Sequence, residues 1–88
     1  MVTCIIDGAK MTTRADAHRE LAQALQLPEF YGANLDALWD VVSTCEAHLT
    51  LVNAAALLNA LQKYGCRLLA VLYEAAESNP RFCFHSES

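Results

Sequence analysis

The chain has 88 residues, ten of them acidic and six basic, and carries a formal net charge of −4 at pH 7. This length is typical of one small domain, here residues 1–88. No apolar run reaches about 18 residues, which excludes a membrane span. The acidic balance also argues against nucleic acid as a direct ligand, because its phosphates would be repelled.

The first ten residues, MVTCIIDGAK, lack the charged start and the long apolar run of a secretory signal peptide. We therefore expect the protein in the cytoplasm. The four cysteines are widely spaced and include no C-x-x-C pair, so they are predicted to be free thiols in that compartment. Cys4 and Cys83 lie in apolar runs and are predicted to be small core residues.

The N-terminal third predicts a strand followed by a helix. Residues 2–8 form a β-branched run closed by Asp-Gly, which indicates a strand and a turn. Thr13 opens a T-x-x-D pattern typical of a helix start, and helical spacing continues to Leu27, before Pro28. His18 lies on the apolar stripe of this helix and is predicted to be a packed histidine at the core edge.

The middle of the chain predicts a loop, a second helix and a second strand. The loop LPEFYGAN holds two adjacent aromatic residues between a proline and a glycine. Asn34 is suited to cap a helix that runs to about residue 44. Residues 48–52 form a short β-type run.

The last third predicts two helices and a final strand. Asn53 is expected to cap the third helix, and Gly65 is expected to end it. The fourth helix should cover residues 66–78, before Asn-Pro, and residues 81–85 alternate as a strand. The resulting order βααβααβ predicts an α/β fold in which a three-stranded parallel sheet packs against helices.

The negative charge is concentrated in the middle of the sequence. Residues 20–62 contain five acids and no lysine or arginine, for a charge of −5, whereas the rest of the chain carries +1. An acidic segment of this kind favours a basic partner.

The stretch NLDALWD places two aspartates on the second predicted helix. With a turn of about 100° per residue, Asp36 and Asp40 lie side by side on the flank of an apolar arc. This arc consists of Leu35, Leu38, Val42 and Trp39. Like charges at this spacing are mildly destabilising, and no basic side chain nearby offsets them. The helix dipole favours Asp36 in the first turn, whereas Asp40 is expected mid-helix without such support.

From the residues alone, two interpretations of this surface stay open. The acids can form an ordinary solvated helix face, with Trp39 at the edge of the core. Alternatively, an acidic pair beside an aromatic residue, after a loop with Phe30 and Tyr31, has the composition of a protein interface that meets a basic site.

The ungapped stretch LPEFYGANLDALWD, residues 27–40, strongly resembles the barstar family of intracellular inhibitors of the ribonuclease barnase. The similarity continues more weakly through residues 49–52, Gly65 and the YEAAE stretch, so it covers essentially the whole domain. It implies a small three-stranded parallel sheet packed with helices, in agreement with the predicted element order. It also implies an inhibitor, antitoxin or immunity protein rather than an enzyme, with no cofactor and no metal.

In that family, the second helix and the loop before it cover the ribonuclease active site. By this resemblance, Asp40 takes the place of an RNA phosphate among the basic residues of the enzyme, and Asp36 adds a second charged contact. The other implied contacts are Phe30 against the catalytic histidine, Trp39, Asn34, Gly32 and, as an outlying charge pair, Glu74. The implied partner is a small basic ribonuclease of the barnase type, and the free chain is expected to be a monomer.

The sequence departs from the family pattern at four places, one of which is the ending PRFCFH. Phe30 replaces a tyrosine, so the ring is kept and the hydroxyl is lost. The stretch STCEAH after the second helix is about one residue shorter than in the family and lacks a second interface tryptophan. Another residue is missing near Cys66. These differences bear on which ribonuclease is bound more than on the inhibitory role.

Three alternative functions have less support from the residues than ribonuclease inhibition. Cys45, His48, Cys83 and His85 could ligate zinc only if their two segments converge, and neither spacing is a zinc signature. The two helix-two aspartates could act as acid and base, but convex helix faces rarely hold such pairs. The third alternative, and the principal one, is a barstar-fold interaction module that binds a basic protein without ribonuclease activity.

Overall fold

A computed structural model describes residues 2–28 and 31–88. The described residues form three strands, one 3-10 helix and four α-helices. In chain order these are β1 (Val2–Asp7), the 3-10 helix (Gly8–Lys10), α1 (Arg14–Leu25), α2 (Leu35–Val42), β2 (Ala47–Val52), α3 (Ala54–Leu61), α4 (Lys63–Ser78) and β3 (Phe82–Ser86). The predicted βααβααβ order is confirmed.

The strands form one parallel sheet in the order β1-β2-β3. Each pair of consecutive strands is joined through two α-helices, as parallel neighbours require a long crossover connection. The predicted α/β fold with a three-stranded parallel sheet is therefore confirmed. Within residues 2–28 and 31–88, no helix combines the length and apolar character needed to cross a membrane.

One face of the sheet packs against the helices and carries the core. Burial alternates along β2, and Leu49 and Leu51 point inward together with Ile6 of β1 and Phe82 of β3. The core is completed by Met11, which follows the 3-10 helix, and by residues of the α-helices: Ala17, Leu21, Leu38, Val42, Leu57, Leu68, Leu72 and Ala75. The second helix is thus anchored by two fully buried side chains.

The opposite face of the sheet is open. Ile5 is 67% exposed there, and His48 and Cys83 are exposed partners in the register of β2 and β3. The expectation that Cys83 is a core residue is wrong, because strand alternation turns it to the outer face. Cys4 is half-buried, and all four cysteines are free, as predicted.

The boundary between α3 and α4 lies earlier than predicted. Gln62 reverses the chain direction between the helices with φ 53° and ψ −119°. Lys63 then begins α4, so Gly65 lies inside that helix, where it is buried beside Leu57 and Leu61 of α3. The expectation that Gly65 ends α3 is wrong, because a residue with a side chain makes the reversal.

The helix starts show one confirmed cap and one that differs. Thr13 caps α1, with its hydroxyl accepting a hydrogen bond from the Asp16 N–H at 3.0 Å. Asn53 precedes α3 but does not cap it with its side chain, which donates instead to Asp7 Oδ1 at 2.9 Å. A Cβ atom at Gly8 would lie 2.2 Å from the Asn53 carbonyl oxygen, so only glycine fits this crossing.

The end of α1 also differs slightly from prediction. The helix ends at Leu25, and Gln26 takes a left-handed conformation with φ 55°. The Leu27 N–H then donates to the Ala22 carbonyl at 2.9 Å, which satisfies an orphan carbonyl of the last turn.

Candidate protein-binding site

The start of α2 is held by one asparagine. Asn34 Oδ1 accepts a hydrogen bond from the Ala37 N–H at 2.8 Å, as predicted for an N-cap. The Asn34 side-chain nitrogen also donates to the Gly32 carbonyl at 3.1 Å. One side chain therefore fixes both the first turn of α2 and the backbone that leads into it.

The faces of α2 follow the predicted helical wheel. Leu38 and Val42 are fully buried, and α2 packs against α4. Trp39 is 37% exposed, and both Asp36 and Asp40 are exposed. The predicted apolar arc with two aspartates on its flank is confirmed.

The two carboxylates have no ionic support on this surface. Among residues 2–28 and 31–88, no hydrogen bond or ion pair engages the carboxylate of Asp36 or Asp40. Asp36 lies in the first turn, where the dipole favours it. Because α2 ends at Val42 rather than near residue 44, Asp40 lies in the last turn and not mid-helix as expected. An anion there opposes the dipole as well as its neighbour.

The loop before α2 is tied to the core by a buried histidine. His18 is 2% exposed. Its Nδ1 is hydrogen-bonded to the Tyr31 hydroxyl at 2.8 Å, and its Nε2 is hydrogen-bonded to the Tyr64 hydroxyl at 2.6 Å. These bonds join α1, the loop and α4. The sequence predicted a packed His18, which is confirmed, but no spacing indicated its two tyrosine partners.

Burial sets the protonation states in the cluster formed by His18, Tyr31, Tyr64 and Arg14. Burial lowers the pKa of His18 below 6.5, so the ring is neutral at pH 7. Burial, with a smaller effect of Tyr64, raises the pKa of Tyr31 to about 12. Burial also raises the pKa of Tyr64, and the Arg14 guanidinium, 4.3 Å from the ring centroid, opposes that rise. The cluster is therefore uncharged apart from Arg14.

Residues 1–86 match the family model described as "Barstar (barnase inhibitor)". The chain belongs to the barstar family. A protein of Bacillus subtilis (strain 168) named "Putative ribonuclease inhibitor YrdF" is 38% identical over 76 residues. That alignment covers 83% of this chain and 84% of the Bacillus protein.

Several residues named by the resemblance fall around α2 in this barstar-family chain. Gly32 is exposed in the loop, and a Cβ added there would lie 3.2 Å from Ala37 Cβ and from the Asn34 side-chain nitrogen, closer than ordinary van der Waals contact. Glu74 is exposed on α4, the helix against which α2 packs. Phe30 lies outside the described residues. The candidate site would thus comprise one helix face, the described part of the loop and an outlying position on α4.

The sites of the weaker alternatives lack a suitable arrangement in the described part of this barstar-family chain. No group of three His, Cys, Asp or Glu side chains is placed there to hold a metal ion. A groove of about 480 Å³ lies beside Ala22, Leu27 and Tyr31, and His18 contributes to its wall. Both ring nitrogens of His18 are already engaged by tyrosines, so the groove offers no free histidine base.

Proposed function

We propose that this chain is a cytoplasmic inhibitor, of the antitoxin or immunity type, that blocks the active site of a small basic secreted-type ribonuclease with α2 and the loop before it. The proposal rests on family membership together with one observation. Asp36 and Asp40 are adjacent exposed carboxylates on a capped, core-anchored helix, and no described side chain neutralises them. The missing positive charge is then supplied by the partner.

The proposed mechanism is anion mimicry. A ribonuclease active site is built to hold the phosphates of RNA, so its arginines can bind a carboxylate in bidentate fashion. In this proposal Asp40 occupies the position of a phosphate and Asp36 makes a second charged contact. Because the helix is fixed before binding, little conformational entropy is lost when the complex forms.

The remaining contacts would surround this charged centre. Trp39 offers exposed aromatic surface beside the acids, as interface anchors commonly do. Phe30 would lie against the catalytic histidine, and Glu74 would form an outlying ion pair. Gly32 and Asn34 would supply backbone and polar contacts. The chain would act without catalysis of its own and without a cofactor.

Charge distribution would speed the encounter. The segment with a charge of −5 includes α2, and the described surface of that helix carries no cation. A basic enzyme would be steered toward this side, and the association rate would fall as salt screens the charges. Another acid of the segment, Glu20, has a partner within the chain: it accepts a hydrogen bond from the Asp7 N–H at 3.2 Å.

The test compares two isosteric changes that each remove one negative charge. Asp40→Asn acts on the proposed phosphate mimic, and Glu77→Gln acts on an exposed acid of α4. With barnase as the probe, RNA cleavage is followed at rising inhibitor concentration. We expect Asp40→Asn to weaken inhibition by about 30-fold or more, while Glu77→Gln stays close to the parent chain. Equal inhibition by both variants would contradict phosphate mimicry.

A second outcome would favour the alternative function. If the chain binds a basic protein tightly in a pull-down, and that protein does not cleave RNA, the fold serves as an interaction module. Failure of the unmodified chain to inhibit barnase at micromolar concentration would contradict a barnase-like target.

A further inference from the structure

We infer that His18 is a positioning residue for partner binding, because it holds the loop before α2 against α4 through Tyr31 and Tyr64. The inference rests on the proposed function in that this loop borders the binding face. His18 itself is buried and would touch no partner. Its effect would be to order the binding surface before the ribonuclease arrives.

The first argument is that residues 31–33 make few other hydrogen bonds in the described part of the chain. Within the described residues, the only hydrogen bond from residues 31–33 to another secondary-structure element is the one between Tyr31 and His18. The other bonds are local: the Tyr31 N–H donates to the Pro28 carbonyl at 3.0 Å, and the Gly32 carbonyl accepts from Asn34. Among residues 31–33, the bond to His18 is therefore the one hydrogen-bonded link to a distant element in the described part of the chain.

The second argument is that the two tyrosines are coupled through the imidazole. A neutral ring has one N–H and one bare nitrogen, so one tyrosine must accept a hydrogen bond and the other must donate one. In the described part of the chain, no buried side-chain nitrogen or oxygen lacks a partner. Removal of the Tyr64 hydroxyl would leave one buried nitrogen of His18 unpaired and would loosen the ring that holds Tyr31.

The third argument is that Tyr64 is itself firmly placed. The Arg14 guanidinium lies 4.3 Å from the Tyr64 ring centroid, a distance typical of a cation–π contact. Arg14 and His18 are four residues apart on α1 and so share one helix face. Helix α1 thus contacts both the ring and the hydroxyl of Tyr64. The position of Tyr64 on α4 is therefore fixed, and His18 connects it to the loop.

The main test uses two tyrosines of α4 that each make one hydroxyl contact. Tyr64→Phe removes the bond to His18, and the matched control Tyr73→Phe removes the bond between Tyr73 and Ser86 on β3. Neither residue belongs to the proposed binding set. We expect Tyr64→Phe to weaken barnase binding by about 3- to 10-fold, mostly through faster dissociation, as loss of preorganisation would do. Tyr73→Phe should leave affinity unchanged.

A second measurement needs no partner. Amide hydrogen exchange of the free chain reports on the Tyr31, Ala37 and Leu38 N–H groups, which are bonded within the loop and the α2 cap. In Tyr64→Phe these amides should exchange faster than in Tyr73→Phe, while the core amides of β2 should match. Unchanged exchange at the three amides would overturn the inference.

A double variant tests the coupling. Tyr31→Phe combined with Tyr64→Phe should bind barnase about as weakly as the weaker single variant, because both changes break the same connection. Fully additive losses would overturn the role of His18 as the link.

Asp40→Asn in the same assay separates the two proposals. Loss of binding by Asp40→Asn with a Tyr64→Phe variant equal to Tyr73→Phe would overturn only the positioning role. Full inhibition by Asp40→Asn would overturn the proposed function, and the exchange measurement would still decide whether His18 orders the loop.

Discussion

The side chain of Asn79 holds the carbonyl of Val42, the last residue of α2, with a 3.0 Å hydrogen bond from its amide nitrogen. The same nitrogen donates to the Cys45 carbonyl at 2.8 Å, and Asn79 Oδ1 accepts from the Arg81 N–H at 3.0 Å. Asn79 is only 6% exposed. Together with Asn34 at the other end, it fixes the proposed binding helix between two asparagines.

We therefore expect Asn79→Ala to destabilise the protein by about 2–3 kcal/mol, because buried carbonyl and N–H groups would lose their partners. The measurement is the urea midpoint. Asn59→Ala is the matched control, since Asn59 is exposed on α3 and alanine is the better helix former. Similar midpoints for the two variants would contradict the role assigned to Asn79.

The two aspartates of α2 should differ in how their neutralisation changes the stability of the protein. Asp36→Asn and Asp40→Asn both relieve the same mutual repulsion, but Asp40 also opposes the dipole in the last turn, whereas Asp36 is favoured by it. We expect Asp40→Asn to be the more stable variant by about 0.5–1 kcal/mol at low salt.

The free energies of unfolding of both variants are measured at low salt and at about 1 M salt. The difference between them should shrink at high salt, because salt screens the charges. If Asp36→Asn is the more stable variant, the electrostatic account of α2 is incorrect. A stability gain in Asp40→Asn together with weaker inhibition would indicate that this acid is kept for binding.

The junction between α3 and α4 should be improved by glycine. Gln62 has φ 53° and ψ −119°, a sparsely populated region for residues with a side chain. Gln62→Gly should stabilise the protein by about 1 kcal/mol, since relief of strain outweighs the added freedom of the unfolded chain.

The comparison variant for this junction is Gln23→Gly, on the exposed side of α1, which should destabilise by about 1 kcal/mol. Thermal unfolding of both variants shows whether each change raises or lowers the stability of the protein. Destabilisation by Gln62→Gly would mean that the side chain of Gln62 stabilises the reversal.

Stability should decrease in mild acid because of His18. Burial lowers its pKa in the folded state, so below about pH 6.5 the unfolded chain binds more protons than the native protein. The stability that depends on a neutral His18 is complete above the pKa of His18 in the unfolded chain. It is lost as pH falls toward and through the pKa of His18 in the folded protein. His18→Gln should flatten this part of the stability profile.

His48→Gln serves as the control in urea unfolding between about pH 5 and 8, since His48 is exposed on the open sheet face. The control should keep the slope of the parent chain. A His18→Gln profile as steep as that of the parent would assign the pH dependence to other groups.

The sequence by itself determined the features that depend on neighbours along the chain. Alternation and helical spacing predicted the order of strands and helices, and thus the parallel sheet, because each element buries one face. The cap at Asn34 followed from its position before an apolar helix, and about 100° per residue placed Asp36 beside Asp40. The cap and the pairing of the two aspartates span four residues or fewer, so backbone geometry alone decides them.

Only the tertiary structure decided the relations between distant residues. The side chain of Asn53 bonds Asp7 rather than capping α3, because the parallel register brings the ends of β1 and β2 together. The chain reverses at Gln62 rather than at Gly65, which is buried beside Leu57 and Leu61 of α3. His18 meets tyrosines 13 and 46 residues away. No periodicity encodes such separations, because they depend on how the helices cross over the sheet.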